Sequence, residues 1–242
     1  MHRSLLGSDG LFGLEELKQA ALPDDIHFPR TRLVCLENTH NRSGGRVFPR
    51  ADTEAIGEWV HERGWLLHLD GARVFNAAIA SGDTVEQIAR PFDSISFCLS
   101  KGLGAPVGSL ICGNREFIQK ALRVRKLFGG GMRQAGVIAA AGLYALDHNV
   151  ERLAEDHAKA LHLAEGLGEF SGITVLRRPE TNMVVFQADN AAELCSRARE
   201  QGVLLSLMDS HTLRAVTHMD ISDEEIDSAR GTLRAVLASL SA

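Results

Sequence analysis

Two short stretches hold the residue types that could do chemistry. Residues 93–104, Asp-Ser-Ile-Ser-Phe-Cys-Leu-Ser-Lys-Gly-Leu-Gly, set one amine, Lys101, after a near-continuous apolar run and before a glycine-rich turn. The run Trp65-Leu-Leu-His-Leu69 opens in the same way into Asp70-Gly-Ala-Arg73. Buried parallel strands read as such runs, and catalytic groups collect where strands open into loops. The chain thus offers a carboxylate and an amine, each at the carboxyl end of an expected strand. That is the edge at which open α/β sheets bind ligands. An amine able to form Schiff bases, with an Asp partnering a pyridinium nitrogen, is the pairing that pyridoxal 5′-phosphate chemistry uses.

Each candidate also has a plainer reading. Lys101 could be one more solvated lysine in a surface turn, as most lysines are. As an imine-forming amine it needs a desolvated or cationic setting. Gly102 and Gly104 favour the second reading, because they let a ligand come close to the backbone. Asp70 could cap the following helix, or its carboxylate could keep a heterocyclic nitrogen protonated. Gly71 and Ala72 would leave room for a flat ring. Arg73 could simply pair with Asp70, or its planar fork could hold a substrate carboxylate or a phenolic oxygen. His40, in a polar loop, is either solvated or a general base. Gly129 to Gly131 with Arg133 could be a flexible turn, or an anion cradle of backbone N–H groups and a guanidinium. Arg214, within Leu213-Arg-Ala-Val-Thr-His218, either faces solvent or clamps a carboxylate.

The elements that must position these groups follow from periodicity. Strands are expected at Arg32-Leu-Val-Cys-Leu-Glu37, 65–69, 94–99 and 107–112. A helix over 52–63, capped by Asp52 or Thr53, and a helix over 73–81 separate the first three. Strands alternating with helices predict βαβ units and a mostly parallel sheet. A small-residue helix near 134–147 suits close helix packing. Val150, Leu153, Ala154, His157, Leu161, Ala164 and Leu167 mark one stripe of a long helix. Strands near 173–177 and 182–187, a helix 190–201 and strands 203–207 and 213–218 come next. A last helix starts at Ser222, with Glu225 at capping-box spacing. The fold class is therefore α/β: a large domain over 1–148 with a mostly parallel sheet, then a connecting helix and a smaller α+β domain over 149–242.

Bulk properties exclude several function classes. The 242 residues are 45% hydrophobic and 24% charged with net charge −5, a globular balance. Without a basic run, neither a nucleic acid nor a bilayer is an expected partner. No apolar stretch reaches the ~20 residues of a membrane span, and the first residues lack a secretory core. The four cysteines, Cys35, Cys98, Cys112 and Cys195, form no Cys-x-x-Cys pair. Buried free thiols in a reducing compartment, no metal site and a cytoplasmic location are the expectations.

Taken together the motifs resemble the low-specificity L-threonine aldolases, of the β-eliminating lyase group of aspartate-aminotransferase-like pyridoxal-phosphate enzymes. The likeness is carried by Leu36-Glu-Asn-Thr-His-Asn41, His68-Leu-Asp-Gly-Ala-Arg-Val-Phe-Asn76, Cys98-Leu-Ser-Lys-Gly-Leu-Gly-Ala-Pro-Val-Gly-Ser109, Gly129-Gly-Gly-Met-Arg-Gln134 and Leu213-Arg-Ala-Val-Thr-His218. It runs in order from about Asp9 to the C-terminus. The resemblance implies a pyridoxal-phosphate enzyme of the transferase fold that cleaves L-threonine or L-allo-threonine to glycine and acetaldehyde. It implies that Lys101 is the Schiff-base lysine and Asp70 the partner of the pyridine nitrogen. It makes Arg73 and Arg214 holders of the substrate carboxylate, Arg73 also lying near the cofactor's ring oxygen, and puts His40 by the β-hydroxyl. Arg133, and Lys126, would reach a cofactor site across the interface of a homo-oligomer, a dimer or dimer of dimers. Relatives start with a longer N-terminal portion, which holds a phosphate-gripping Gly-Thr loop and a ring-stacking histidine. The chain is expected to begin after that portion, as a fragment or as a protein that has lost those functions. The alternatives are a β-eliminating lyase or transaminase on the same scaffold, and a catalytically inactive remnant.

Overall fold

The computed structural model describes residues 2–240. The chain divides into two compact units, one of residues 1–41 and 47–150, the other of residues 42–46 and 151–242.

The first unit runs α1 (Leu14–Ala20), β1 (Leu33–Glu37), α2 (Arg50–His61), β2 (Leu66–Asp70), α3 (Val74–Ser81), α4 (Val85–Ala89), β3 (Ser94–Cys98), β4 (Ser109–Gly113), α5 (Arg115–Leu127) and α6 (Gly136–His148). Its sheet has the order β1-β2-β3-β4. The first three strands are parallel, as the intervening helices require, and β4 runs antiparallel to β3. Side chains alternate across a strand, so the register decides what each face holds. Val34, Leu36, Leu67, Leu69 and Ile95 point into a core closed by Ile56 and Val60 of α2, Val74 and Ala77 of α3 and Ile88 of α4. Burying each larger side chain of this set contributes roughly 1.5–3 kcal/mol. The matching rows Cys35–His68–Ser94 and Glu37–Asp70–Ser96 lie on the other face. That face is not apolar throughout and carries exposed Leu33 and Leu66. Cys35, on that face, is exposed, as is Cys112, which pairs opposite Ile95 on edge strand β4; Cys98 and Cys195 are half-buried. The expectation of buried thiols is corrected: all four are free, and none is in the core.

Other expectations shift for local reasons. Helix α2 begins at Arg50 behind Pro49, not at Asp52 or Thr53. The Thr53 hydroxyl donates back to the Arg50 carbonyl and is not available as a cap. Helix α5, absent from the expected elements, buries none of its residues. It is held at its start by the Asn114 Oδ1, which accepts from the Phe117 N–H at 2.9 Å. In α6, Gly142 makes room for the loop after β3: a Cβ there would stand 2.9 Å from Leu99 Cδ1.

The second unit consists of α7 (Leu153–Gly168), β5 (Ile173–Val175), β6 (Met183–Ala188), α8 (Ala191–Glu200), β7 (Ser206–Leu207), β8 (Thr212–Val216) and α9 (Asp223–Leu240). Its sheet is antiparallel throughout, in the order β5-β6-β8-β7. Val184, Phe186, Leu213 and Ala215 face a core shared with Leu163 and Leu167 of α7, Leu194 of α8 and Leu233 of α9. The capping box at α9 is present: Ser222 N–H donates to Glu225 Oε2 at 2.8 Å, and Glu225 N–H to Ser222 Oγ at 3.2 Å. Residues 42–46 join this unit through Thr181, whose hydroxyl donates to the Gly45 carbonyl at 2.7 Å. No helix among the described residues is long and apolar enough to cross a membrane.

Candidate active site

Parallel pairing brings the carboxyl ends of β1, β2 and β3 to one edge, and the candidate groups of the first unit gather there. Asp70 ends β2 in register with Glu37 on one side and Ser96 on the other. Asp70 is exposed. Its Oδ1 accepts from the Ala72 N–H at 3.1 Å, a local turn, while Oδ2 has no hydrogen bond among the described residues. Arg73, not Asp70, is the cap residue of α3.

Gly71 does more than leave space. Its N–H donates to the Ser96 carbonyl at 2.7 Å. A Cβ there would meet that carbonyl oxygen at 3.0 Å and Ile95 at 3.2 Å. The missing side chain makes room for β3, which corrects the expectation that it makes room for a ring.

Lys101 follows the end of β3 by three residues, in a turn closed by its own backbone. The Gly104 N–H donates to the Lys101 carbonyl at 2.9 Å, with Gly104 at φ 74°, a conformation that favours glycine. The base of the turn is tied by Leu99 N–H to the Gly108 carbonyl at 2.9 Å. The Lys101 ammonium is exposed and makes no hydrogen bond or ion pair among the described residues. An amine and an acid, on loops leaving adjacent parallel strands and each with bonding capacity to spare, are the donor set that an imine-forming pyridine aldehyde needs. The residues fit pyridoxal phosphate.

His40 and Arg73 belong to the same edge. His40 Nε2 lies 3.7 Å from Glu37 Oε2. Arg73 Nη1 donates to Asn41 Oδ1 at 3.3 Å, and the Asn41 N–H donates to Glu37 Oε1 at 3.1 Å. Glu37 and Asn41 are not singled out by their types, since a carboxylate and an amide in a loop have no distinguishing spacing. Their only sequence signal is that they lie with His40 in the stretch Leu36-Glu-Asn-Thr-His-Asn41. Desolvation first, and the Asp70 carboxylate second, push the Cys35 thiol above its ordinary range, which argues against a thiolate nucleophile on this face.

Two predicted residues are carried by other elements. Arg133 is exposed in the loop after α5. The glycines before it are not an anion cradle. Gly129 N–H donates to the Lys126 carbonyl at 3.1 Å and Gly130 N–H to the Arg125 carbonyl at 2.8 Å, with Gly129 at φ 82°. That pair of bonds is a Schellman cap on α5, so these amides are already used. Arg214 sits in the middle of β8 in the second unit, half-buried, in register with Val185 and Ser206. No group of His, Cys, Asp and Glu able to hold a metal ion occurs among the described residues.

Comparison with known proteins places this arrangement. The family model for β-eliminating lyases matches residues 1–191. The low-specificity L-threonine aldolase of Escherichia coli K12 is 47% identical over 233 residues, 96% of this chain and 68% of that enzyme. The low-specificity L-threonine aldolase 1 of Arabidopsis thaliana is 45% identical, over 90% of this chain and 63% of its own length. The chain therefore spans about two thirds of these curated relatives. The structure of a threonine aldolase from Leishmania major matches with a TM-score of 0.76 at 22% identity, covering 94% of this chain and 68% of that one, which establishes the fold. With its pyridoxal-phosphate transferase fold, its acid and amine on adjacent strand tips and these relatives, the chain belongs to the β-eliminating lyase family.

Proposed function

We propose that this protein is a low-specificity threonine aldolase that cleaves the Cα–Cβ bond of L-threonine or L-allo-threonine, giving glycine and acetaldehyde. The observation that carries the reading is the convergence of Asp70, Lys101, Arg73 and His40 on one strand edge of a chain 47% identical to such an enzyme. Bound pyridoxal phosphate supplies an aldehyde for amine exchange and an electron-poor ring that accepts the charge left on Cα.

The protein's own groups do the rest. Asp70 keeps the ring nitrogen protonated. Lys101 is the amine that would hold the cofactor through its aldehyde. His40, or a water it orients, takes the β-hydroxyl proton as the bond breaks, and Cα is then reprotonated. Arg73 and Arg214 would hold the substrate carboxylate and so fix the orientation of the substrate, an orientation effect. Arg214 receives this role from its motif.

The unit of residues 1–41 and 47–150 is, in this reading, the cofactor-binding domain, and the second unit the small domain. Homo-oligomer formation, as a dimer or dimer of dimers with Lys126 and Arg133 serving a neighbouring subunit, is supported by exposed Leu127, Phe128, Val137, Leu143 and Tyr144. Four free cysteines support a reducing, cytoplasmic setting.

The purified chain supplemented with pyridoxal phosphate should gain visible absorbance and release glycine and acetaldehyde from threonine. Pyruvate and ammonia from serine would instead identify a β-eliminating lyase. Absence of both cofactor uptake and product would overturn the proposal.

A further inference from the structure

The carboxylate of Glu37 has no part in the chemistry assigned above, yet it touches both arms of it. Glu37 closes β1 directly opposite Asp70, so two carboxylates share one face at neighbouring strand ends. Like charges so placed are destabilising unless something offsets them. At Glu37 the offset is visible. Oε1 accepts the Asn41 N–H at 3.1 Å, and Oε2 stands at ion-pair distance, 3.7 Å, from His40 Nε2. Asn41 in turn accepts from Arg73 at 3.3 Å. The side chains of His40 and Glu37 are 23% and 32% exposed, so solvent screens this pair only partly.

We propose that Glu37 is a positioning residue, which aims His40 at the β-hydroxyl proton and, through Asn41, holds Arg73 where it can take the substrate carboxylate. The proposal rests on the aldolase reading. One carboxylate serves both arms, so the base and the clamp move together. When His40 has taken the proton, Glu37 is the charge beside the imidazolium. Glu37 itself touches neither ring nor substrate.

The test uses the 242-residue chain with added pyridoxal phosphate. Glu37→Gln keeps the shape and removes the charge. It should lower kcat for threonine on the order of tenfold and raise KM, while the visible absorbance of the bound cofactor and the melting temperature stay near those of the parent. Asn41→Ala cuts only the Arg73 arm and should raise KM with kcat kept within about twofold. Glu37→Asp, which keeps the charge, should recover part of the kcat lost in Glu37→Gln. Parent-like kcat and KM in Glu37→Gln would overturn the inference and leave the aldolase reading standing, as would loss of cofactor absorbance in that variant. If Glu37→Gln does not fold, equal falls in kcat for Asn41→Ala and Glu37→Asp overturn it, and the split above supports it. A parent chain that neither binds the cofactor nor cleaves threonine removes both.

Discussion

The two sheets each have four strands and differ in what they do with polar side chains. In the parallel sheet, strands β1, β2 and β3 end on the same edge, where Glu37, Asp70 and the Lys101 turn gather. In the antiparallel sheet the ends are shared between two edges, and its buried polar groups fasten backbone. Thr217 donates to the Asp156 carbonyl at 2.6 Å and Asn182 to the Thr217 carbonyl at 2.9 Å. The buried Asp156 carboxylate is held by Arg152 at 2.6 Å. Topology decides which polar residues are left for a ligand. The parallel strands concentrate them, whereas the antiparallel sheet uses Thr217, Asn182 and Asp156 in its own frame and leaves Arg214 as the group the proposed function draws on.

Substitutions should therefore separate along the same line. The largest effect is expected from Lys101→Ala, which should reduce threonine cleavage to background. As an exposed position, it should move stability by no more than about 0.5 kcal/mol in urea titration. Retained cleavage would remove the contrast at its root. In the antiparallel sheet the corresponding extreme is Phe186→Ala, at a fully buried site. It should cost roughly 3–5 kcal/mol of stability, read from the urea midpoint. Back on the parallel edge, Arg73→Ala should weaken threonine binding by roughly 1.5–3 kcal/mol, measured through KM and the inhibition constant of a non-reacting amino acid.

Two smaller effects sharpen the picture. Gly129→Ala places a Cβ in the left-handed region and should cost about 1 kcal/mol of stability, with or without cofactor. A loss seen only in cofactor affinity would restore the anion-cradle reading. In the second unit, burial holds the His157 pKa below its ordinary value, with Asp156 opposing. A folded chain that keeps this ring neutral binds fewer protons than the unfolded chain. Stability should thus fall as pH drops through and below about 6.5, and His157→Gln should flatten that part of the profile. An unchanged slope between pH 5 and 7 would show that another group is responsible.

Much of this was legible in advance because strand and turn chemistry are local. Apolar runs that stop at Asp70 and Lys101 need no tertiary information, and neither does the Ser222–Glu225 box. The resemblance to threonine aldolases then gave those residues their roles. What escaped was set by contacts between distant segments. Helix α5 carries an apolar stripe through Phe117, Ile118, Ala121 and Leu122, yet none of its residues is buried, so the stripe finds no core within the chain. Gly71 looked like space for a ligand, and only the position of Ser96 shows whose space it is. Three glycines in a row suggested a nest for an anion, but the carbonyls at the end of α5 had already taken the amides of Gly129 and Gly130. Asn41 became visible only when α3 delivered Arg73 to it.

The bond from Gly71 to Ser96 has a consequence for how such a protein can change. It stitches the Asp70–Arg73 turn to the strand that leads to Lys101, so the acid sits on, and the amine just beyond, one stiff ladder whose strands are about 4.8 Å apart. Evolution cannot easily retune that frame without disturbing both groups at once. Taste for a new aldehyde is more readily acquired in the His40 loop, where side chains rather than rungs fix the geometry.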